Sequence, residues 1–344
     1  MMSSRRAFVT GATASAVAAV LAACSQDVPA APAATGTPTP QPVLDSDRLT
    51  TVLQRIQTGL EAADAEKNTD ALAGYLTGPA ARIRGEEYAV AKATSDDTFV
   101  HNFTTDSQAG TVALATDFPR TVLTITDFAE DEQGYLLALT QDSARDNFQL
   151  WGWTQLFAGV EIPATYAPAI GTEQIEADDA TELKASPQEV LDAYVDALNN
   201  PDGDNGKAFG DDVLRQRIAS ERAVDLAEIG EVTVSAKAGS DGFKSLRTAD
   251  GGVITMTTLS FATVYKKTVA GSTLSLADST VGALLGEDQE VVGTVTANYD
   301  VMVAFLIPAA DADANATALG MDLVLASVSR DDSQAPAEED EAEG

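Results

Sequence analysis

The chain has 344 residues, and 53 acidic against 21 basic side chains give it a net charge of −32. Nothing resembles a basic stripe able to neutralise phosphates, which excludes a nucleic-acid binder, and an anionic bilayer would repel such a surface. Cys24 and His101 are the only residues of their types, so neither a disulfide framework nor a Cys/His zinc cluster can be assembled.

The chain opens with Arg5 and Arg6, followed by a mildly apolar run rich in Ala, Gly and Thr that ends at Leu21-Ala22-Ala23-Cys24. A positive region, an apolar region and small residues before a cleavage point are the order of an export signal. Only 17 residues separate Arg6 from Cys24, fewer than the ~20 apolar residues of a membrane span. Ser4-Arg5-Arg6-Ala7-Phe8-Val9 resembles the twin-arginine export motif, with Val9 and Thr10 where that motif usually has Leu and Lys. The general export route is the alternative. Leu21-Ala22-Ala23-Cys24 resembles the bacterial lipobox, which implies removal of residues 1–23 and lipid on the Cys24 sulfur. Two or more palmitate-like acyl chains, at ~0.8 kcal/mol per buried methylene, anchor a protein stably. The expectation is a lipoprotein on the extracytoplasmic face of the plasma membrane, its membrane contact made through Cys24.

Residues 24–43, rich in Pro, Ala and Thr, read as an extended tether. Residues 331–344, dominated by Asp and Glu, read as a disordered acidic tail. Between them the pattern predicts a first domain over 44–175, a linker over 176–185 and a second domain over 186–330. In the first, Asp45 to Asp64 is an amphipathic helix with Leu49, Val52, Leu53, Ile56 and Leu60 on its apolar face. Helices over 68–76 and 80–93 follow. The period then changes to two, and 111–116, 120–128, 135–141 and 147–157 read as strands.

The second domain repeats that order. Ser186-Pro187-Gln188-Glu189 is a capping box that opens a helix to about Leu198. Shorter helices are expected over 209–214 and 219–229, then strands over 231–238, 252–267, 290–308 and 320–329. Gly239-Ser240-Asp241-Gly242 and Asp250-Gly251-Gly252 read as hairpin loops.

Three matches link the halves: Val52-Leu53…Leu60 with Val190-Leu191…Leu198, Arg82-Ile83-x-x-Glu86 with Arg217-Ile218-x-x-Glu221, and Ile162-Pro163-Ala164 with Ile307-Pro308-Ala309. They keep their order, at offsets of 138, 135 and 145 residues. Arg and Glu four apart on a helix can pair for a few tenths of a kcal/mol, and a structural pair is the reading for both. The fold class is therefore α+β, as two duplicated halves with N-terminal helices packed on a curved antiparallel sheet. In element order each half resembles the cone-like fold of the nuclear-transport-factor-two and ketosteroid-isomerase superfamily, which implies a cavity at the open end of the sheet. Leu76-Thr77-Gly78-Pro79-Ala80 with Arg82 and Tyr88 is similar to secreted actinobacterial lipoproteins without an assigned activity, a likeness that brings no catalytic residue.

Chemistry is less legible. His101, in Thr98-Phe99-Val100-His101-Asn102-Phe103, reads as a packed or surface histidine. There is no Gly-rich phosphate loop, and neither a cofactor nor a metal is expected. Asn200 to Asp211 faintly resembles a calcium loop, but Asn205 stands where Gly is needed, so it reads as a plain turn. Tyr88, Tyr135, Asp127 and Asp142 are the candidates for carboxylate and tyrosine chemistry. The stronger lead is Phe148 to Phe157, where period two puts Trp151, Trp153 and Phe157 on one face, as core or as a surface for a ligand or partner. The functional expectation is non-catalytic binding or envelope assembly, with an envelope protein or a small apolar ligand as partner. An enzyme using a carboxylate/Tyr cavity and a transporter's solute-binding lipoprotein are the alternatives.

Overall fold

A computed structural model describes residues 39–127 and 133–337. The export motif (Arg5, Arg6, Phe8) and Cys24 lie outside the described residues. Helix α1 (Ser46–Glu66) begins where the Asp45 carboxylate accepts the Arg48 N–H, and ends at Lys67 in the left-handed region. Leu49, Leu53, Ile56, Leu60 and Ala63 form its buried stripe at three- and four-residue spacing. The helix expected over 68–76 shrinks to one 3-10 turn, Thr69–Leu72, because Gly74 takes a positive φ. Helix α2 (Gly78–Thr94) starts at Thr77 with Pro79 in its first turn.

Strand β1 (Gln41–Pro42), at the end of the expected tether, pairs with β3 (Leu114–Ala115). Strands β2 (Ser107–Val112), β4 (Arg120–Thr126), β5 (Tyr135–Gln141) and β6 (Gln149–Leu156) form an antiparallel meander. Helix α3 (Pro187–Asn199) carries the predicted capping box, with both Ser186–Glu189 hydrogen bonds made. Two short helices follow, α4 (Asp204–Ala208) and α5 (Val213–Arg222). The second meander comprises β7 (Gly230–Ala238), β8 (Lys244–Arg247), β9 (Val253–Lys267), β10 (Thr294–Ile307) and β11 (Thr317–Asp331), with α6 (Thr280–Leu285) between β9 and β10.

These strands make one antiparallel sheet in the order β2-β4-β5-β6-β11-β10-β9-β7. The order is palindromic, since each meander runs outward in and the last strand of one meets the last of the other. That seam is short, with Gly320 opposite Leu156 and Met321 opposite Gln155. Asp250-Gly251-Gly252 is a hairpin loop, as expected, between β8 and β9. Gly239 to Gly242 is not. It interrupts a single edge, because β7 and β8 both pair with β9, one beyond the other. A Cβ on Gly239 would stand 2.6 Å from the Thr258 carbonyl oxygen, so only glycine permits that close crossing.

The sheet separates two apolar cores. The larger lies under the helices and joins Ile56, Leu60 and Ile83 to Leu137, Leu150 and Trp153, and Leu191 and Tyr194 to Phe261 and Phe305. The smaller, on the other face, gathers Leu123, Leu136, Trp151, Leu246, Ile254 and Met256. The stretch between the meanders closes over this second core. Thr172 exchanges backbone hydrogen bonds with Val112 and Leu114, and its hydroxyl donates to the Arg247 carbonyl. Helix α2 packs on both β6 and β11 and so straddles the seam.

Candidate functional site

The seam is where polar chemistry concentrates. On α2, Arg84 and Glu87 are three residues apart on the buried face with Ala80, Ile83 and Ala91. Both side chains are 0% exposed, and Arg84 Nη1 donates to Glu87 Oε2 at 2.6 Å. The same nitrogen donates to the His101 carbonyl at 2.8 Å, tying down the segment that follows the 3-10 turn Asp97–Phe99. The guanidinium lies over the rings of Trp153 and Phe103 and stands 3.5 Å from Asp64. Asp64 in turn accepts the Tyr88 hydroxyl.

His101 meets two carboxylates with one nitrogen. Its Nδ1 is 2.7 Å from Glu87 Oε1 and 3.1 Å from Asp322 Oδ1. Asp322 comes from β11, one residue past the seam, with its side chain 2% exposed. Trp153 Nε1 donates to Asp322 Oδ2 at 2.7 Å, so β6, β11, α2 and the 97–103 segment converge on one point. Burial raises the Glu87 carboxyl above its ordinary range, against the opposing pull of His101 and Arg84. Burial also pulls the His101 imidazolium down, but the Asp322 and Glu87 carboxylates facing its Nδ1 outweigh that and push it up to about 10. Tyr135 is half-buried, and that burial, with the Asp322 and Glu87 charges nearby, pushes it up to about 12.

Beyond His101 and Asp322 opens a cavity of about 420 Å³. Val90 and Phe99 wall it from the first half, and Arg217, Tyr299, Leu323 and Leu325 from the second. His101, Asp322, Gln155 and Arg217 are polar members of its lining, and most of the other lining residues are apolar. Arg217 stands beside the Tyr299 ring and pairs with Glu221 at 2.5 Å, the helix-face pair expected from the sequence. Its counterpart departs from that expectation. Arg82 turns away from Glu86 and binds Asp241 at 2.8 Å and Asp300 at 2.6 Å, clamping α2 to the second meander. Among the described residues one buried oxygen of Glu86 has no partner, and burial with the nearby Asp300 charge pushes its carboxyl up to about 8.

The aromatic face expected from β6 does not form. The register slips between Ala138–Gly152 and Leu139–Leu150, a bulge that adds Trp151 as an extra residue. Trp151 therefore enters the smaller core and Trp153 the larger one, and both are buried. Phe157 lies past the strand end, beside a separate cavity with Phe209 and Val213. Between Asn200 and Asp211 the chain forms α4 rather than a plain turn, and Asn200 and Asn205 both donate to Asp196. Among the other candidates, Tyr88 and Tyr135 belong to the buried network, Asp142 accepts from Thr140, and Asp127 is exposed.

His101 is thus neither a plain packed nor a plain surface residue. Glu87 and Asp322 were missed altogether, although an acid inside Gly320-Met321-Asp322-Leu323-Val324-Leu325 is a signal of a buried polar task. The fold and site define a mixed α/β protein with a buried ion network at the wall of a cavity. No protein-family model, curated protein or solved structure matches the chain. Among the described residues, no helix is long and apolar enough to cross a membrane.

Proposed function

We propose that this chain is a lipid-anchored extracytoplasmic lipoprotein that binds a small, largely apolar ligand in the cavity at the seam, without catalysis. The observation that carries this reading is the cavity itself, whose lining joins apolar side chains to the polar groups of His101, Asp322, Gln155 and Arg217. Such a lining suits a molecule with an apolar body and a few hydrogen-bonding groups. The palindromic strand order, the equivalent places of α1 and α3, and Arg82 and Arg217 on α2 and α5 support an internal duplication of cone-like halves. Arg5, Arg6, Phe8 and the Leu21–Cys24 stretch support export and anchoring.

Two measurements test the reading. An alkyne-palmitate fed to producing cells is expected to label the chain, and Cys24→Ser to abolish the label. The fluorescence of anilinonaphthalene sulfonate is expected to rise on addition of the protein and to fall back in Val90→Trp, which fills the cavity. Dye binding undiminished in that folded variant refutes the cavity as the ligand site.

A second reading, an enzyme, is favoured by one observation: burial holds the Glu87 carboxyl above its ordinary range directly behind His101, which lines the cavity. It requires turnover that Glu87→Gln abolishes. A transporter's solute-binding lipoprotein draws no support from an antiparallel sheet.

A further inference from the structure

We infer that Glu87, His101 and Asp322 form a binding site for one divalent transition-metal cation of the zinc class, open on its fourth side to the cavity. This goes beyond the ligand-binding reading and stands without it. The three ligand atoms, Glu87 Oε1, His101 Nδ1 and Asp322 Oδ1, lie within 4.8 Å of one another. A tetrahedral cation with bonds near 2.0–2.2 Å holds its donors roughly 3.3 Å apart. The two contacts of His101, 2.7 and 3.1 Å, need to open by roughly 0.6 and 0.2 Å, and the two carboxylate oxygens, within 4.8 Å of each other, need to settle at the same spacing.

Each carboxylate is prepared for the task in the same way. Its outer oxygen is occupied by a dedicated donor, Arg84 Nη1 on Glu87 Oε2 and Trp153 Nε1 on Asp322 Oδ2, and its inner oxygen faces the imidazole. Outer-shell donors that fix ligand carboxylates are a regular part of metal sites. One proton on Nδ1 can serve one of the two inner oxygens. It points at Glu87, and Asp322 Oδ1 is left buried 3.1 Å from the ring nitrogen with no aligned donor among the described residues. A buried carboxylate oxygen without an aligned donor is costly, and a divalent cation at the point where the three atoms meet satisfies both oxygens at once. Metal entry displaces the Nδ1 proton to solvent and leaves the imidazole neutral, as a nitrogen ligand must be.

The donor set selects the metal. One imidazole with two carboxylates suits zinc and its borderline neighbours, whereas calcium takes six to eight oxygens and magnesium an octahedron of them. Three protein ligands with an open fourth side admit a water or a ligand's donor atom from the cavity. The His101 side chain is 38% exposed, which gives the cation a way in.

The test uses the detergent-extracted full-length chain without a histidine tag, stripped by chelator and titrated calorimetrically with ZnCl2, MgCl2 and CaCl2. One zinc per chain is expected, with a raised unfolding temperature, and neither hard cation should compete with it. His101→Ala and Asp322→Asn should each weaken zinc at least ~100-fold. Trp153→Phe, which frees Asp322 Oδ2, should weaken it ~10- to 100-fold. Cys24→Ser should leave the affinity unchanged. Cobalt in place of zinc should give tetrahedral visible bands that His101→Ala removes. Absence of a 1:1 zinc site in the folded chain, equal binding of calcium, or zinc affinity unchanged in folded His101→Ala or Asp322→Asn overturns the proposal.

Discussion

Replacing Arg84 by Met is the perturbation that most directly asks whether the ion network holds the seam together. Arg84 is fully buried, donates to Glu87 at 2.6 Å and to the His101 carbonyl at 2.8 Å, and covers two aromatic rings. Methionine keeps much of the stem's volume but removes the donor on Glu87 Oε2, leaving His101 as the remaining cation beside that carboxylate. Breaking a buried pair from one side costs about 3–5 kcal/mol when the remaining charge is stranded, and His101 at 2.7 Å from Glu87 places this case toward the lower end. Removing both charges, as in Arg84→Met with Glu87→Gln, should restore part of that loss. The coupling between the two sites is expected at about 1–3 kcal/mol. Urea unfolding followed by tryptophan fluorescence, with chelator present so that no metal contributes, gives all four corners of the cycle. In a thermal scan the single variant should lose several degrees, since each kcal/mol moves a domain of this size class by roughly 2–4 °C. A loss below about 1 kcal/mol in Arg84→Met, or strict additivity in the double variant, would refute the reasoning.

Arg82 makes the contrasting case, because its pairs with Asp241 and Asp300 are 40% exposed on the Arg82 side. Arg82→Gln should therefore cost about 1 kcal/mol or less, and the difference from the parent should shrink as salt is added. Gly320→Ala is expected to be much worse, since its Cβ would fall 2.3 Å from the Gln155 carbonyl oxygen at the seam. Overpacking of this kind costs about 1–3 kcal/mol, and a lower urea midpoint is the readout. Asp212 caps α5 and accepts the Tyr194 hydroxyl, but burial raises its carboxyl above the ordinary range. A raised acid binds its proton more tightly in the folded chain, so stability falls as pH rises from the ordinary Asp value through the folded one. Asp212→Asn keeps a good cap, so its stability relative to the parent should grow with pH across that window and level off below it. Thermal unfolding from pH 3 to pH 7 checks the sign.

Much of the fold is written locally. The stripe of α1, the capping box at Ser186, the Asp250-Gly251-Gly252 hairpin and the span Tyr135–Gln141 follow from side-chain period and from hydrogen bonds within a few residues. Those interactions are complete before any distant segment arrives, and so the sequence by itself determined them. It also holds the Arg217–Glu221 pair, which needs only one helix turn. Tertiary structure decided the rest, because each remaining feature depends on a partner far along the chain. Trp151 and Trp153 part company at a bulge set by the pairing of β5 with β6, which a strict period of two cannot anticipate. Arg82 forsakes its helix neighbour for Asp241 and Asp300, more than 150 residues away, because two carboxylates in fork geometry outbid one at i+4. His101, Glu87 and Asp322 acquire a common purpose only when α2 crosses the β6–β11 seam, and a short cross-strand register, rather than any motif, brings them together.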